Sequence, residues 1–276
     1  MKSVFWRQFL GNKNCRTGLL IILPFLIIAI MQGALTRYAP DTQNLSMTLA
    51  APSVRHLFGT DYFGRDVFAR LIFGTRLTLA MALGAATLAT LIGTIIGMIA
   101  GTTGGLIDRV LMRLTDVFLG FPRLFAILLC ASIWHNSPGL TLQIIVAFSW
   151  MESARVVRAE SMLVNQALYV KAAQGLGASR YRILTAYILP NIAGVVVTSF
   201  TLLIGTVIIV ESGLSFLGLG VQEPTASWGT LLNQGRQDPV GAWWLSAFAG
   251  ACIVLTVTGL NLIGDGLKQL FEERRM

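Results

Sequence analysis

The residues best suited to contact another molecule lie in a polar segment, Tyr169–Asn191, which reads YVKAAQGLGASRYRILTAYILPN. Its helix-forming residues predict a short helix over 169–173. Gly175 and Gly177 are expected to end this helix, because glycine adopts positive φ without a steric penalty. Ser179 is placed to cap a second helix by accepting a hydrogen bond from a free backbone N–H group. The segment therefore predicts a helical hairpin that could contact a cytoplasmic partner.

The second helix of the hairpin is expected to carry Arg180 and Arg182 beside an apolar face at helical spacing. Pro190 is expected to bend the chain where it enters the next apolar run. The alternative interpretation is a solvated loop whose arginines only mark the cytoplasmic side of a membrane.

The apolar segment after the hairpin, Ile192–Val210, and the two residues that follow it contain hydroxyl and carboxyl side chains that could line a path through the membrane. Thr198 and Thr201 are weak candidates for lining a path, because hydroxyls in membrane helices often bond their own backbone. Glu211, followed by Ser212, is a stronger candidate, since an acid in an apolar setting is a functional candidate by default. The glycine-rich stretch Gly213–Gly220 is expected to form a re-entrant or close-packed external element.

A second polar motif, GTDYFGRD, occupies Gly59–Asp66. Its glycines allow tight turns, and Asp61 or Asp66 can cap a helix. Two interpretations stay open. Either the motif is a capped turn with Arg65 and Asp66 in solvent, or Asp61, Arg65 and Asp66 form an external vestibule.

The sequence lacks the patterns that typify catalysis. It contains no G-x-x-x-x-G-K-[ST], no H-E-x-x-H, no Ser/His/Asp set and no clustered carboxylates, so P-loop binding of ATP by this chain is excluded. The histidines and cysteines are isolated, so neither a metal site nor a disulfide framework is expected; they are His56, His135, Cys15, Cys130 and Cys252. We therefore expect a chain that is not an enzyme and that needs no cofactor.

Composition indicates an integral membrane protein. Of the 276 residues, 54% are hydrophobic and 12% are charged, about half the charged share of a soluble domain. Such a chain leaves no room for a separate soluble catalytic domain. Its net charge of +8 need not mean nucleic acid, and lipid is the expected surrounding.

Six apolar segments have the length of membrane helices: Leu19–Leu35, Leu77–Ile107, Leu114–Trp134, Leu140–Val157, Ile192–Val210 and Ala242–Gly264. Most Lys and Arg residues lie in the two terminal segments and in the connections on the same side of the membrane. Because Lys and Arg are enriched on the cytoplasmic side, both termini are expected in the cytoplasm. Thr36–Arg76 and Gln222–Gly241 are then external, with Trp228 and the Trp243–Trp244 pair as interfacial anchors. Asp116 and Arg123 either face a bundle interior or water, as buried charges usually do, or lie at the inner interface, which is the favoured interpretation. Glu152 and Arg155 could pair at i, i+3.

A stripe of small residues recurs every four positions in the second apolar segment, which would let another helix approach closely. Its members are Ala85, Ala89, Gly93, Gly97 and Gly101.

The hairpin resembles the EAA loop of permease subunits in bacterial ABC importers, whose pattern is E-A-A-x-x-x-G, nine residues, then I-x-L-P. Ala172, Ala173, a glycine and the I-L-P ending at Pro190 match, whereas Lys171 stands at the glutamate position. ESGLSFLGLGVQEPTASWG at Glu211–Gly229 and NLIGDGL at Asn261–Leu267 extend the resemblance. With GTDYFGRD, they resemble the C-type permease of the dipeptide, oligopeptide and nickel importers from Thr17 to Arg275.

The resemblance implies an all-α membrane protein with six transmembrane helices and the type I ABC importer permease fold, in the bacterial cytoplasmic (inner) membrane. It implies an N-terminal part, 1–76, and a core permease domain, 77–276, with its coupling loop at about 166–191. The residues expected to couple to ATPases are Lys171, Ala172, Ala173, Gly175, Gly177, Ala178, Ser179 and Arg180. Implied partners are a homologous second permease, two ATP-binding subunits and an extracytoplasmic substrate-binding protein. The cargo would be a peptide, nickel, a metal chelate or another small solute.

Two other classes are weighed against this one. An ion-coupled secondary transporter or channel would need acids near the membrane midplane and often inverted repeats. Only Glu211 is a plausible midplane acid, and no internal repeat is visible. A membrane-bound enzyme would need a catalytic constellation that the sequence lacks.

Overall fold

A computed structural model describes residues 2–134 and 137–273. His135 and the tail arginines Arg274 and Arg275 lie outside the described residues. The described chain is almost entirely helical. Its α-helices are α1 (Lys2–Gly11), α2 (Lys13–Leu35), α3 (Val67–Thr103), α4 (Gly105–Leu119), α5 (Arg123–Ile133), α6 (Pro138–Ala147), α7 (Trp150–Asn165), α8 (Leu168–Gly175), α9 (Arg180–Arg182), α10 (Leu189–Phe216), α11 (Trp228–Gly235) and α12 (Trp243–Glu273).

Among the described residues, five helical spans are long and apolar enough to cross a membrane, and there are six if the bent pair α4–α5 is counted as one span. The all-α membrane fold expected from the sequence is confirmed. The third span is not the straight helix expected, because α4 and α5 meet at an angle of 77°. The break falls at Gly120–Pro122, where proline has no N–H group with which to continue the helical hydrogen bonds. The fourth span, Pro138–Asn165, is likewise divided, into α6 and α7.

Both ends of the described chain and the hairpin lie at one end of the helical bundle. A Cβ atom added at Gly194, near the start of α10, would lie 2.5 Å from the ring of Phe271, near the end of α12. The side chain of Asn12 donates a hydrogen bond of 3.0 Å to Gln269. The beginning of α2, the beginning of α10 and the end of α12 therefore meet. This is the arrangement that cytoplasmic termini and a cytoplasmic hairpin require.

The stripe of small residues packs α3 against α7. Cβ atoms added at Gly93, Gly97 and Gly101 would each lie 2.6 Å from a backbone carbonyl oxygen of α7. Only glycine permits that approach, so the packing role predicted for the stripe is confirmed at these three positions. The stripe glycines bring together two helices that run in the same direction.

Several expected boundaries are wrong at the external end. The second membrane helix, expected to start at Leu77, begins at Val67, so residues 67–76 of the segment expected to be external are helical. The stretch expected to form a re-entrant or close-packed external element from Gly213 begins as helix, since α10 continues past the expected end at Val210 to Phe216. The external segment that follows contains α11, whose first turn Ser227 and Thr230 close with a capping box.

Two tryptophans that the sequence suggests as interfacial anchors are core residues. Trp228 is buried, packs edge-on against Phe25 with centroids 5.8 Å apart, and donates its indole N–H to Thr75 Oγ1 at 3.2 Å. Trp244 is buried and donates to the carbonyl oxygen of Thr60 at 3.1 Å. The N–H group of a buried tryptophan usually finds a hydrogen-bond acceptor, and both of these do. Trp243, by contrast, is exposed as expected.

Candidate functional site

The cytoplasmic hairpin consists of α8, a glycine turn and a second helix. Gly177 has φ +82°, a conformation that favours glycine, and Ser179 Oγ accepts a hydrogen bond from the backbone N–H of Arg182. The turn and the cap predicted at these residues are confirmed. Gly175 is the last residue of α8 rather than part of the turn.

The second helix of the hairpin continues into the membrane without a loop. α9 leads into a single stretch of π-helix, Ile183–Ile188, and then into α10. Pro190 lies in the first turn of α10, and the side chain of Asn191 donates to the carbonyl oxygen of Tyr187 at 2.6 Å. The wide π turn precedes the proline, which itself cannot donate a backbone hydrogen bond. Arg180–Phe216 therefore forms one span of 37 residues, a direct mechanical link between hairpin and membrane.

The hairpin rests on the bundle through an apolar face. Val170 and Ala173 are buried with Val157, Ile183 and Ile188. Ala173, which the sequence suggests as a coupling residue, therefore faces the bundle rather than a partner. A polar contact supports this packing, since Gln174 Nε2 donates to Asn165 Oδ1 at 2.9 Å.

The opposite face of the hairpin presents apolar side chains to solvent. Leu176 is 89% exposed and Tyr181 is 77% exposed. Of the other residues predicted to couple to ATPases, Ala178 is half-buried and the rest are exposed. The exposed ones are Lys171, Ala172, Gly175, Gly177, Ser179 and Arg180. Exposed apolar residues rimmed by polar ones mark an interaction site.

The residues predicted to line a path are all buried within this chain: Thr198, Thr201, Glu211 and Ser212. The hydroxyls of Thr198 and Thr201 donate to the carbonyl oxygens of Gly194 and Val197, each at 2.9 Å. Their assignment to the translocation path stays a prediction.

Glu211 is buried near the external end of α10 and holds local structure together. Its Oε1 accepts a hydrogen bond of 2.9 Å from Ser215 Oγ, and Ser212 Oγ lies 3.5 Å from its Oε2. Ser215 Oγ in turn accepts from the backbone N–H of Val221 at 3.0 Å. The carboxylate thus fixes the chain that follows α10, and a path-lining role for Glu211 and Ser212 stays a prediction.

The charged residues of the GTDYFGRD motif, Asp61, Arg65 and Asp66, are buried, so the interpretation that Arg65 and Asp66 lie in solvent is wrong. Arg65 Nε donates to Asp61 Oδ2 at 2.6 Å, and Arg65 Nη1 donates to Glu223 Oε2 at 2.8 Å. Burial alone would lower the pKa of Arg65, but the hydrogen bond to Glu223 and the charge of Asp61 raise it above its usual value. Arg65 therefore stays cationic and holds the motif to the segment before α11. A vestibule role for the motif stays a prediction.

Asp66 caps the N-terminus of α3. The sequence offered Asp61 or Asp66 as a helix cap, and the structure shows that it is Asp66. Its Oδ2 accepts from the backbone N–H of Ala69 at 2.8 Å, and its Oδ1 lies 2.8 Å from His56 Nδ1. His56, Arg70 and Glu223 were missed by the sequence interpretation. Arg70 was missed because its position was assigned to an external loop, although an arginine beside a long apolar run signals a buried partner.

Charged pairs also join α4 and α5 to α7. Arg158 binds Asp108 through two hydrogen bonds, of 2.5 and 2.7 Å. The expected pairing of Glu152 with Arg155 within α7 is wrong. Arg155 bonds instead to Asp116 at 2.5 Å, and Glu152 lies 3.6 Å from Arg123. Across the ranges the structure describes, no three His, Cys, Asp or Glu side chains are grouped as metal ligands.

Comparison with known proteins accounts for this architecture. Residues 93–276 match the family described as "Binding-protein-dependent transport system inner membrane component". Residues 3–52 match "N-terminal TM domain of oligopeptide transport permease C".

Individual relatives agree with the family match. The dipeptide transport system permease protein DppC of Bacillus subtilis is 36% identical over 98% of this chain and 84% of its own length. The oligopeptide transport system permease protein OppC of Escherichia coli is 37% identical over 97% of this chain and 89% of its own length.

Two solved structures share the fold. A chain of the MetNI methionine ABC transporter in an inward-facing conformation aligns with TM-score 0.60 and 16% identity, over 75% of this chain and 96% of that one. A chain of an amino acid ABC transporter aligns with TM-score 0.51 and 18% identity, over 76% and 94%. The chain, a multi-pass protein of the inner membrane, therefore belongs to the family of binding-protein-dependent transport system inner membrane components, the permeases of ABC importers.

Proposed function

We propose that this chain is one permease subunit of an ATP-driven importer of small peptides. The observation that carries the proposal is the exposed, capped hairpin joined without a loop to α10. Relatives that match nearly the whole chain are named as dipeptide and oligopeptide permeases, and this supports peptide over nickel as the cargo.

The energy for transport comes, in this proposal, from two ATP-binding subunits on the cytoplasmic side. Leu176 and Tyr181 enter a cleft on an ATPase subunit, and Lys171, at the glutamate position of the EAA pattern, offers that subunit a cation. Because 180–216 is one helical unit, closure of the ATPase pair moves α10 as a rigid element. A homologous second permease completes the path, and a substrate-binding protein delivers the cargo from outside.

A matched pair of glycine substitutions tests the coupling role. Gly177 has φ +82°, whereas Gly175 is helical, and neither would bring a Cβ atom within 4 Å of another group. We expect Gly177→Val to distort the turn, because a β-branched residue is strained at positive φ. We expect Gly175→Ala to be tolerated, since alanine favours a helix.

The assay measures uptake of a labelled dipeptide and ATP hydrolysis by the assembled complex in vesicles. Gly177→Val should lose uptake at normal membrane content, whereas Gly175→Ala should transport as the unmodified chain does. Normal uptake by Gly177→Val would contradict the coupling role. Uptake that persists without ATP and collapses with the proton gradient would favour an ion-coupled secondary transporter instead.

A further inference from the structure

Four charged side chains lie on one exposed face inside the membrane-spanning part of the chain. Asp116 and Arg155 form one pair, and Arg123 and Glu152 form another. The Asp116, Glu152 and Arg155 side chains are between one half and two thirds exposed, and Arg123 is about one quarter exposed. We call this set the mid-span charge cluster.

The cluster lies deeper than the inner interface at which Asp116 and Arg123 were expected. The span Pro138–Asn165 has 28 residues, so at 1.5 Å per residue Glu152 is about 20 Å from either end. The hydrocarbon core of a bilayer is about 30 Å thick. Glu152, and with it Arg123, is therefore close to the middle of the membrane.

Charges at this depth cannot face lipid without a large cost. The ion pairs do not remove that cost, because the side chains stay partly exposed and one pair is loose. Arg123 Nη1 is 3.6 Å from Glu152 Oε1, and this nitrogen is itself buried and has no hydrogen-bond partner. Partly exposed charges beside a buried guanidinium nitrogen that has no hydrogen-bond partner need water or a polar group next to them, not lipid.

α3 presents a contrasting face at the same depth. Gly93 of α3 packs against the carbonyl of Trp150, so this part of α3 is level with the cluster. The exposed residues there are apolar: Leu88, Leu91, Ile92 and Ile95. This face suits lipid, whereas the cluster face does not.

We propose that Asp116, Arg123, Glu152 and Arg155 line the water-filled translocation path and bind the charged termini of a peptide during its passage. A free dipeptide carries an ammonium and a carboxylate group, and the cluster offers a carboxylate and a guanidinium 3.6 Å apart. Glu152 takes the ammonium group and Arg123 takes the carboxylate, so the loose pair opens for the cargo and closes behind it. The peptide cargo in this inference rests on the proposed function, whereas the water-filled path rests on the exposed charges alone.

The test uses the assembled complex in its own membranes, with Cys15, Cys130 and Cys252 replaced by alanine. Glu152→Cys and Leu91→Cys are each exposed to a charged, membrane-impermeant methanethiosulfonate reagent during ATP turnover. Glu152→Cys should be modified, and dialanine should slow the modification. Leu91→Cys, at similar depth, should stay unmodified. Absence of modification at Glu152→Cys would overturn the path assignment.

A second measurement separates cargo binding from a structural role. Glu152→Gln and Arg123→Gln should each lower dialanine uptake about ten-fold, the effect of losing one charge-assisted hydrogen bond. ATP hydrolysis by the complex should stay near normal, whereas a loss of structure would lower both. Unchanged uptake with a labelled Glu152→Cys would overturn the cargo contact. If the unmodified complex takes up no dialanine, the peptide cargo of the proposed function fails, and the labelling result still decides the path.

Discussion

Replacing Glu223 with glutamine should destabilise the external end of the protein. Arg65 and Arg70 are both buried. Arg65 Nη1 donates to the Glu223 carboxylate at 2.8 Å, and Arg70 Nη2 donates to it at 3.0 Å. Asp61, which is buried, is the other acid in contact with both arginines. Glu223→Gln keeps the shape of the side chain but leaves two buried cations with one buried counter-charge.

The magnitude follows from burial. Removing one partner of a fully buried ion pair costs about 3–5 kcal/mol. The Glu223 side chain is 35% exposed, so solvent screens part of its charge, and the glutamine oxygen still accepts a hydrogen bond. We therefore expect a loss of about 2–3 kcal/mol in the free energy of unfolding.

Asp41→Asn is the matched control, because Asp41 contacts the same Arg70 from solvent. The distance is 3.4 Å, and the Asp41 side chain is 63% exposed, so the loss should be at most about 0.5 kcal/mol. Both variants are purified in mild detergent and unfolded with increasing SDS, with helix content followed by circular dichroism. Equal midpoints for Glu223→Gln and Asp41→Asn would refute the reasoning that burial sets the size of the effect.

Two further substitutions test the packing. Gly97→Leu should cost about 1–3 kcal/mol in the free energy of unfolding and separate α3 from α7, because even a Cβ atom at Gly97 would lie 2.6 Å from the Ala154 carbonyl oxygen. Its control in the same SDS titration is Gly213→Ala, where the added Cβ atom meets nothing within 4 Å. Trp228→Phe should cost about 2–3 kcal/mol, about 1 kcal/mol from the lost hydrogen bond to Thr75 and the rest from the cavity left around a fully buried side chain. Trp243→Phe, on an exposed residue, should leave the unfolding midpoint unchanged. Equal effects within either pair would contradict the packing described here.

Local sequence patterns were enough to predict the turn and the cap of the hairpin and the close packing of α3 against another helix. A glycine at Gly177 and a cap at Ser179 act within one turn, so their effects are readable from the residues alone. The stripe at Gly93, Gly97 and Gly101 predicts close packing because its four-residue spacing places every member on one face.

The errors arose where distant contacts decide the structure. Glu223 lies 158 residues from Arg65 in sequence, so their pairing leaves no local pattern. The sequence around Trp228 predicts an interfacial anchor, because the contacts of Trp228 with Thr75 and Phe25 come from distant parts of the chain. Pro122 signals a break, but the 77° bend depends on how α4 packs against α7.

The central claim is that separate ATPase subunits drive this permease through the hairpin. The most direct measurement is co-purification of tagged chain from its native membranes in mild detergent, for the unmodified protein and for Leu176→Asp. Leu176 is 89% exposed, so the substitution changes the proposed docking face without disturbing the core. The unmodified chain should bring a second permease and P-loop ATPases, and Leu176→Asp should keep the permease and lose the ATPases. A folded chain that purifies without any ATPase, or a Leu176→Asp variant that retains them fully, would contradict this account.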